Sequence, residues 1–278
     1  MTVGEALRAS TEFLAGKGVA SPRVDAEHLV AKALGVARLD LYLQYDRELT
    51  EAEQAAAREL VRRRGTREPL AYVLGEWGFR RLTLATDRRA LVPRPETEIV
   101  VERCLAHLAE TAEPAVLDVG VGTGAIALAI ADEHPGARVT AIDASEEALA
   151  LASENAARTE LEERVKLLRR DLGDGLPGGP YDLVVSNPPY VLPEEIDSLE
   201  PEVRDWEPRQ ALVSRDATEM IARAAPTVLR PGGRLVLEVA AGAAGDVERL
   251  LESLAFSRLG RSLDLAERER VVEGTWDP

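Results

Sequence analysis

The sequence of 278 residues contains one cysteine, Cys104, and no long apolar stretch. A single cysteine cannot form an internal disulfide, and its neighbours do not form a metal-ligand cluster. No apolar run approaches the roughly 18 residues that a membrane-spanning helix needs. The first residues also lack the basic start and apolar core of a signal peptide. We therefore expect a soluble cytoplasmic protein that holds no metal and binds no membrane.

Basic side chains are scarce, with 34 Lys+Arg against 49 Asp+Glu and a net charge of −15. The imbalance lies after residue 95, because residues 1–95 carry +3 and residues 96–278 carry −18. A protein that grips duplex DNA usually presents a basic face to the phosphates. The charge therefore argues against a nucleic-acid substrate. The one dense basic run, Arg62-Arg63-Arg64, is interpreted as the solvated end of a helix.

Three segments with different patterns divide the chain. Helical signals fill residues 1–75, among them a capping box at Thr50-Glu51-Ala52-Glu53 and helix-ending glycines at Gly35 and Gly75. Residues 76–92 alternate apolar and polar side chains, which predicts a β-hairpin linker. Residues 93–278 are predicted to form the catalytic domain.

Apolar strands alternate with amphipathic helices beyond residue 93. This order favours an α/β fold with a parallel, doubly wound sheet. The predicted strands are 115–119, 138–142, 165–168, 181–186 and 234–239, and the predicted helices between the first pairs are 126–133 and 145–158.

A glycine-rich turn, Gly120-Val121-Gly122-Thr123-Gly124, follows the first strand and opens a helix. Glycines let the backbone approach a ligand closely. Asp143 ends the second strand, where a carboxylate can accept hydrogen bonds from both ribose hydroxyls. Asp118 is expected near a positively charged ligand, which favours a sulfonium such as S-adenosylmethionine over a dinucleotide. Asp171 follows the third strand and is expected beside an adenine amine, although a turn without any ligand also fits the pattern.

The fourth strand runs into Asn187-Pro188-Pro189-Tyr190. Consecutive prolines fix the backbone and leave the Asn187 side chain and the Pro188 carbonyl as acceptors. Two acceptors without a base suit a planar amino group on an sp² carbon, and Tyr190 offers a flat face to such a substrate. Glu96 and Glu98 follow Pro95 at a helix start, where acids favour the helix dipole. Whether they also contact substrate is left open.

Together, four motifs resemble the HemK/PrmC family of protein-(glutamine-N5) methyltransferases. They are the Asn187–Tyr190 tetrapeptide, the loop 118–124, the segment Pro93-Arg94-Pro95-Glu96-Thr97-Glu98 and the stretch 68–76. The tetrapeptide alone is shared with amino-methylating DNA enzymes, whereas the combination is specific. The resemblance extends over nearly the whole chain.

The resemblance implies a class I S-adenosylmethionine-dependent methyltransferase with a Rossmann-like seven-stranded sheet behind a small N-terminal helical bundle that helps hold a peptide-chain release factor. The substrate is expected to be the glutamine of its Gly-Gly-Gln motif. Residues 187–190 are expected to hold the glutamine amide. By matching position, the residues expected to bind S-adenosylmethionine are Gly120, Val121, Gly122, Thr123, Gly124, Asp143, Asp171, Leu172 and Asn187.

Three alternatives remain at this point. An adenine or cytosine amino-methyltransferase of nucleic acid shares the tetrapeptide but predicts a basic groove. A glutamine methyltransferase of a ribosomal protein shares the chemistry, and stretch 68–76 favours release factors over it. A non-catalytic binding module is the third, and the intact Gly120, Asp143 and Asn187 argue against it.

Overall fold

The computed structural model describes residues 1–278 and divides into two compact units. The helical unit comprises Met1–Glu76 and Glu200–Trp206, and the sheet unit comprises Trp77–Leu199 and Glu207–Pro278. The helices are α1 (Val3–Gly16), α2 (Pro22–Leu34), α3 (Asp40–Leu43), α4 (Glu51–Gly65), α5 (Leu70–Leu74), α6 (Pro95–Leu108), α7 (Ala125–Glu133), α8 (Glu146–Arg158), α9 (Pro201–Arg204), α10 (Arg209–Leu212), α11 (Ala217–Ala224) and α12 (Ala244–Ser253). The strands are β1 (Glu76–Phe79), β2 (Leu82–Ala85), β3 (Ala115–Val119), β4 (Arg138–Asp143), β5 (Val165–Arg169), β6 (Tyr181–Ser186), β7 (Leu229–Glu238), β8 (Phe256–Leu263) and β9 (Glu269–Trp276).

Local signals in the helical unit determine where its helices start and stop. The Thr50 hydroxyl accepts from the Glu53 amide while the Glu53 carboxylate accepts from the Thr50 amide, so the predicted capping box is confirmed. Gly35 and Gly75 adopt left-handed conformations at the ends of α2 and α5, as the helix-ending glycines predicted. No helix of the molecule is long and apolar enough to span a bilayer.

The helical unit contains one segment that we expected in the catalytic domain, residues 200–206. Arg64 explains its place there. Its Nε donates to Asp25 Oδ2 at 2.7 Å and its Nη2 donates to Glu202 Oε1 at 2.8 Å. Arg67 also donates to Glu202. The Arg64 side chain is only 7% exposed, so the interpretation of this run as a solvated helix end is wrong for Arg64.

Seven strands form the main sheet in the order β5-β4-β3-β6-β7-β9-β8, and β1 and β2 form a separate hairpin. The five strands predicted from sequence correspond to β3–β7 and are parallel. The sheet is nevertheless mixed, because β9 runs antiparallel to both β7 and β8. The class I architecture is confirmed, whereas the expectation of an all-parallel sheet is wrong at this edge.

Alternate residues of the strands supply two separate cores, because successive side chains point to opposite faces of a sheet. On one face, Val116 belongs to a buried cluster that includes Val100 of α6 and Leu128 of α7. On the other face, Leu117 belongs to a cluster that includes Ile221 of α11 and Leu251 of α12. Helices therefore cover both faces of the sheet, which leaves the carboxyl ends of the parallel strands as the place for a ligand.

Candidate active site

A cavity of about 440 Å³ lies at the carboxyl ends of β3, β4 and β6. All of its lining residues belong to the sheet unit. Of the site residues predicted from sequence, those that line it are Gly120, Val121, Gly122, Thr123, Asp143, Asp171, Leu172, Asn187, Pro188 and Pro189. Gly124 and Tyr190 do not line it. The structure therefore brings together the glycine-rich turn and the tetrapeptide, which lie more than 60 residues apart in the chain.

The glycine-rich turn exposes its backbone to the cavity. Gly120 has a φ of +84°, and a Cβ placed there would meet no atom within 4 Å. The open space beside the main chain is what a closely bound ligand requires. Gly124 serves the turn differently, because with a φ of +87° it begins α7 and packs against Leu128.

Asp143 connects the end of β4 to the turn. Its Oδ2 accepts from the Gly122 amide at 3.0 Å and its Oδ1 accepts from the Ser145 amide at 2.9 Å. These two bonds hold the carboxylate in one orientation. Since a carboxylate has about four acceptor positions, Asp143 retains lone pairs for hydroxyl groups of a ligand in the cavity.

Asp118 does not lie where the sequence analysis expected it. It is 1% exposed and does not line the cavity, and its Oδ2 accepts from the Ala127 amide of α7 at 3.1 Å. Its Oδ1 has no hydrogen-bond partner. Burial raises the pKa of Asp118 to about 7. The expected position of Asp118 beside the ligand is therefore wrong, because its carboxylate lies beneath the turn and accepts from α7.

Asp118→Asn is expected to make stability less dependent on pH. A raised pKa means that Asp118 contributes stability below about pH 4, and that this contribution is lost as the pH rises through about 7. Asparagine stays neutral at all pH values. The free energy of unfolding of the variant relative to the wild type should therefore rise by about 2 kcal/mol between pH 5 and pH 8.

Urea denaturation at the two pH values measures this difference. Asp132→Asn is the matched control, because Asp132 is an exposed residue of the same helix that Asp118 caps. If the free energies of unfolding of Asp118→Asn and the wild type differ by the same amount at pH 5 and pH 8, the Asp118 carboxyl titrates normally and the prediction is wrong.

Asp171 and Leu172 lie on the rim of the cavity after β5. Asp171 Oδ1 accepts from the Gly173 amide at 2.8 Å and so begins a short 3-10 turn over Leu172–Asp174. Leu172 packs against the buried cluster that contains Leu117. The pair thus offers the cavity one carboxylate edge and one apolar side chain.

Asn187 has a defined orientation at the end of β6. Its Nδ2 donates to Thr97 Oγ1 at 3.1 Å, which leaves its Oδ1 available as an acceptor. The next two residues, Pro188 and Pro189, have no amide hydrogens. This side of the cavity therefore presents one oriented acceptor, Asn187 Oδ1, and the Pro188 carbonyl as a second acceptor stays a prediction.

Sequence reasoning missed the two residues behind Asn187. Thr97 donates through Oγ1 to Glu238 Oε2 at 2.6 Å, and Glu238 is 1% exposed at the end of β7. Burial raises the pKa of Glu238 to about 7. Two features of the sequence could have indicated them. One is the threonine within the motif at residues 93–98, and the other is the single acid in the apolar run 235–239.

Tyr190 does not line the cavity, in contrast to the expectation of a flat face against the substrate. Its hydroxyl lies 3.5 Å from Glu238 Oε1, and burial raises the pKa of the phenol to about 12. Its side chain is thus turned toward Glu238.

Segment 93–98 contributes Arg94 as well as Thr97 to the cavity. Arg94 Nη2 donates to both oxygens of Glu207 at 2.6 and 2.7 Å, and burial raises the pKa of Glu207. Glu96 and Glu98 do not line the cavity. Glu98 Oε1 accepts from the Arg80 amide at 2.8 Å. No group of three or more His, Cys, Asp or Glu side chains could hold a metal ion.

Two families match separate parts of the chain. The family described as PrmC N-terminal domain matches residues 5–75, and the family described as methyltransferase small domain matches residues 98–199. A crystal structure of a methyltransferase from Pyrococcus furiosus has a TM-score of 0.50 and 16% sequence identity, and the match covers 70% of this chain and 89% of that one. At this identity it shows the fold alone.

Two relatives match over almost their full length, and both are named release factor glutamine methyltransferase. The protein of Rhodopirellula baltica is 42% identical over 281 residues, covering 98% of this chain and 95% of its own. That of Caulobacter vibrioides is 39% identical over 282 residues, covering 100% of this chain and 98% of its own. The chain belongs to the release factor glutamine methyltransferase family.

Proposed function

We propose that this chain transfers a methyl group from S-adenosylmethionine to the side-chain amide nitrogen of a glutamine in peptide-chain release factors, and that this glutamine is the one in the Gly-Gly-Gln motif. The observation that carries the proposal is the orientation of Asn187. Its amide is held with Oδ1 free beside the glycine-rich turn. One oriented acceptor beside a cavity of about 440 Å³, with the adjacent Pro188 carbonyl as the proposed second acceptor, suits a primary amide.

The cavity fits the methyl donor at two places. The open space beside Gly120 accepts a ligand against the backbone, and the oriented carboxylate of Asp143 can accept from ribose hydroxyls. Asp171 and Leu172 are the proposed contacts for the adenine. S-adenosylmethionine supplies an electrophilic methyl group when it is bound.

The chain's own residues prepare the amide for attack. An amide nitrogen is a weak nucleophile because its lone pair is delocalised into the carbonyl. Asn187 Oδ1 and the Pro188 carbonyl accept the two amide hydrogens, which fixes the nitrogen and directs its lone pair toward the methyl group. Such orientation can lower a barrier by roughly 7–11 kcal/mol in favourable cases. Proton loss follows methyl transfer, so the site needs no strong base.

The helical unit is the proposed holder of the release factor, with residues 76–92 as a linker and residues 93–278 as the catalytic domain. The charge of −18 on residues 96–278 opposes a polyanionic substrate. The names of the two relatives also support a release factor over a ribosomal protein or a nucleic acid.

Asp143→Ala should raise the Kd for S-adenosylmethionine by about 10- to 100-fold. Hydrogen bonds to a charged group contribute about 1.5–3 kcal/mol each, and every 1.4 kcal/mol changes the Kd tenfold. Isothermal titration calorimetry measures the effect. Asp132→Ala, at an exposed position of α7, should bind like the wild type. Equal affinity of Asp143→Ala and the wild type would remove Asp143 from the cofactor site.

A transfer assay with a panel of acceptors tests the proposed function. The purified chain is incubated with labelled S-adenosylmethionine and, separately, with an unmethylated release factor, unmethylated ribosomal proteins, DNA and RNA. We expect label only in the release factor. Label in another acceptor would keep the methyl-transfer site and overturn the substrate. Absence of label in every acceptor would favour a non-catalytic binding protein.

A further inference from the structure

An asparagine side chain has two nearly identical ends, one that accepts and one that donates hydrogen bonds. The proposed reaction needs the accepting end to face the substrate, because an amino group there would repel the amide hydrogens. Shape alone does not favour either orientation, since the two ends have similar size. The protein therefore needs a partner behind Asn187 that accepts a hydrogen bond and does not donate one.

Thr97 is that partner, but a hydroxyl can both donate and accept. Glu238 removes this ambiguity. An ionised carboxylate only accepts, so the hydrogen on Thr97 Oγ1 points to Glu238 Oε2 at 2.6 Å. The lone pairs of Oγ1 then face Asn187 Nδ2 at 3.1 Å. The three side chains form one chain of hydrogen bonds, in which Asn187 donates to Thr97 and Thr97 donates to Glu238. The acceptor Glu238 thereby determines the direction of both bonds.

We propose, on the basis of the function proposed above, that Thr97 and Glu238 are positioning residues that hold the Asn187 amide with its oxygen toward the substrate. Neither residue needs to touch the reacting atoms. Thr97 also lines the cavity, whereas Glu238 lies buried behind it.

The surroundings of Glu238 disfavour its charge, chiefly through burial. It is buried on β7 and no cation forms an ion pair with it, which disfavours the carboxylate. From β9, Arg270 favours the charge, although Arg270 Nε also donates to Asp264 at 3.3 Å. From α6, Glu96 opposes the charge, while the Thr97 hydroxyl and the Tyr190 hydroxyl favour it. A residue that served packing alone could be apolar at this position.

A dependence on pH follows from the direction of the hydrogen-bond chain. Burial raises the pKa of Glu238 to about 7. Once protonated, Glu238 can donate to Thr97, and the Thr97 hydrogen can then turn toward Asn187. Asn187 would have to accept that hydrogen through Oδ1, which turns its amino end toward the substrate. Activity is therefore present above about pH 7 and is lost as the pH falls through this value.

Three variants and one control test the inference, with S-adenosylmethionine and an unmethylated release factor as substrates. Thr97→Val removes the hydroxyl and should lower kcat about tenfold with an unchanged Kd for S-adenosylmethionine, while Thr97→Ser should restore kcat. Glu238→Gln should lower kcat at pH 8 and remove the loss of kcat between pH 8 and pH 6. Glu219→Gln, an exposed acid on α11, should retain the wild-type profile.

The outcomes separate this inference from the proposed function. A wild type that methylates the release factor, combined with a Thr97→Val kcat within twofold of it, would overturn the positioning role. The positioning role would also be overturned if Glu238→Gln still lost kcat between pH 8 and pH 6. A wild type without transfer to the release factor would overturn the proposed function and this inference with it. If Thr97→Val does not fold, the kcat of Thr97→Ser and the pH profile of Glu238→Gln, each compared with the wild type, decide the question.

Discussion

Asn187→Ala is expected to lower kcat for methylation of a release factor by about 100-fold or more. Removing one preorganised hydrogen-bonding group from a transition state typically costs a factor of about 10²–10³ in kcat. Alanine removes the Oδ1 acceptor, so only the Pro188 carbonyl remains to orient the substrate amide. The Kd for S-adenosylmethionine should change by less than about threefold, because the glycine-rich turn and Asp143 remain intact. Steady-state kinetics and calorimetry measure the two quantities.

Gln210→Ala provides the control for the loss of an amide at the cavity. Gln210 also lines the cavity, but it is exposed and lies on α10 rather than at the end of a strand. Its variant should keep kcat within a few-fold of the wild type. Wild-type turnover in Asn187→Ala would show that the tetrapeptide does not orient the substrate, and a large loss of cofactor affinity would place Asn187 primarily at the cofactor.

Arg64→Ala should destabilise the helical unit by about 3–5 kcal/mol, the usual cost of leaving buried charges without their partner. The guanidinium bonds to Asp25, to the Glu68 carbonyl and to Glu202, and its side chain is 7% exposed. Its loss leaves two carboxylates without this partner. It also removes one of the two arginines that bind Glu202 of segment 200–206.

Arg62→Ala is the matched control two residues earlier on α4. Arg62 forms an ion pair with Glu59, but the two side chains are 65% and 56% exposed. Such surface pairs contribute about 0–1 kcal/mol. Urea denaturation followed by circular dichroism, with hydrogen exchange to locate the loss, measures both variants. A cost below 1 kcal/mol for Arg64→Ala would show that water replaces its partners.

The parallel strands could be predicted because each is a short apolar run between turn residues. The predicted bounds 115–119 and 181–186 are those of β3 and β6. Strand β7 was predicted only from residue 234, because Pro231-Gly232-Gly233 is typical of a turn. The resemblance implied seven strands, but the sequence pattern did not locate β8 and β9. Most residues of β8 are only half-buried or exposed, so the strand has no apolar run to identify it.

The site could be predicted where its residues adjoin in sequence, and not where they meet only in the fold. The glycine-rich turn and Asp143 are local to β3 and β4. Thr97 and Glu238, by contrast, lie 141 residues apart and meet through one hydrogen bond. The burial of Arg64 has the same origin, because Glu202 comes from a segment 138 residues away. Local patterns cannot indicate which distant partner a polar side chain finds.

The sequence also did not predict the direction in which some side chains of the site point. Asp118 was expected near a positively charged ligand because it precedes the glycine-rich turn, yet its carboxylate lies beneath the turn and accepts from the Ala127 amide. A strand residue points to one of two faces, and sequence position alone does not say which face carries the ligand. Tyr190 was expected to face the substrate but does not line the cavity. Its hydroxyl lies near the carboxylate of Glu238, a residue that the sequence analysis did not single out.

Tandem mass spectrometry of a release factor treated with this chain and S-adenosylmethionine tests the central claim most directly. The account predicts one added methyl group, on the side-chain amide of the glutamine in the Gly-Gly-Gln motif, and none when Asn187→Ala replaces the wild type. A methyl group on another residue of the release factor would contradict it. A release factor that stays unmodified after prolonged incubation with folded wild type would also contradict it.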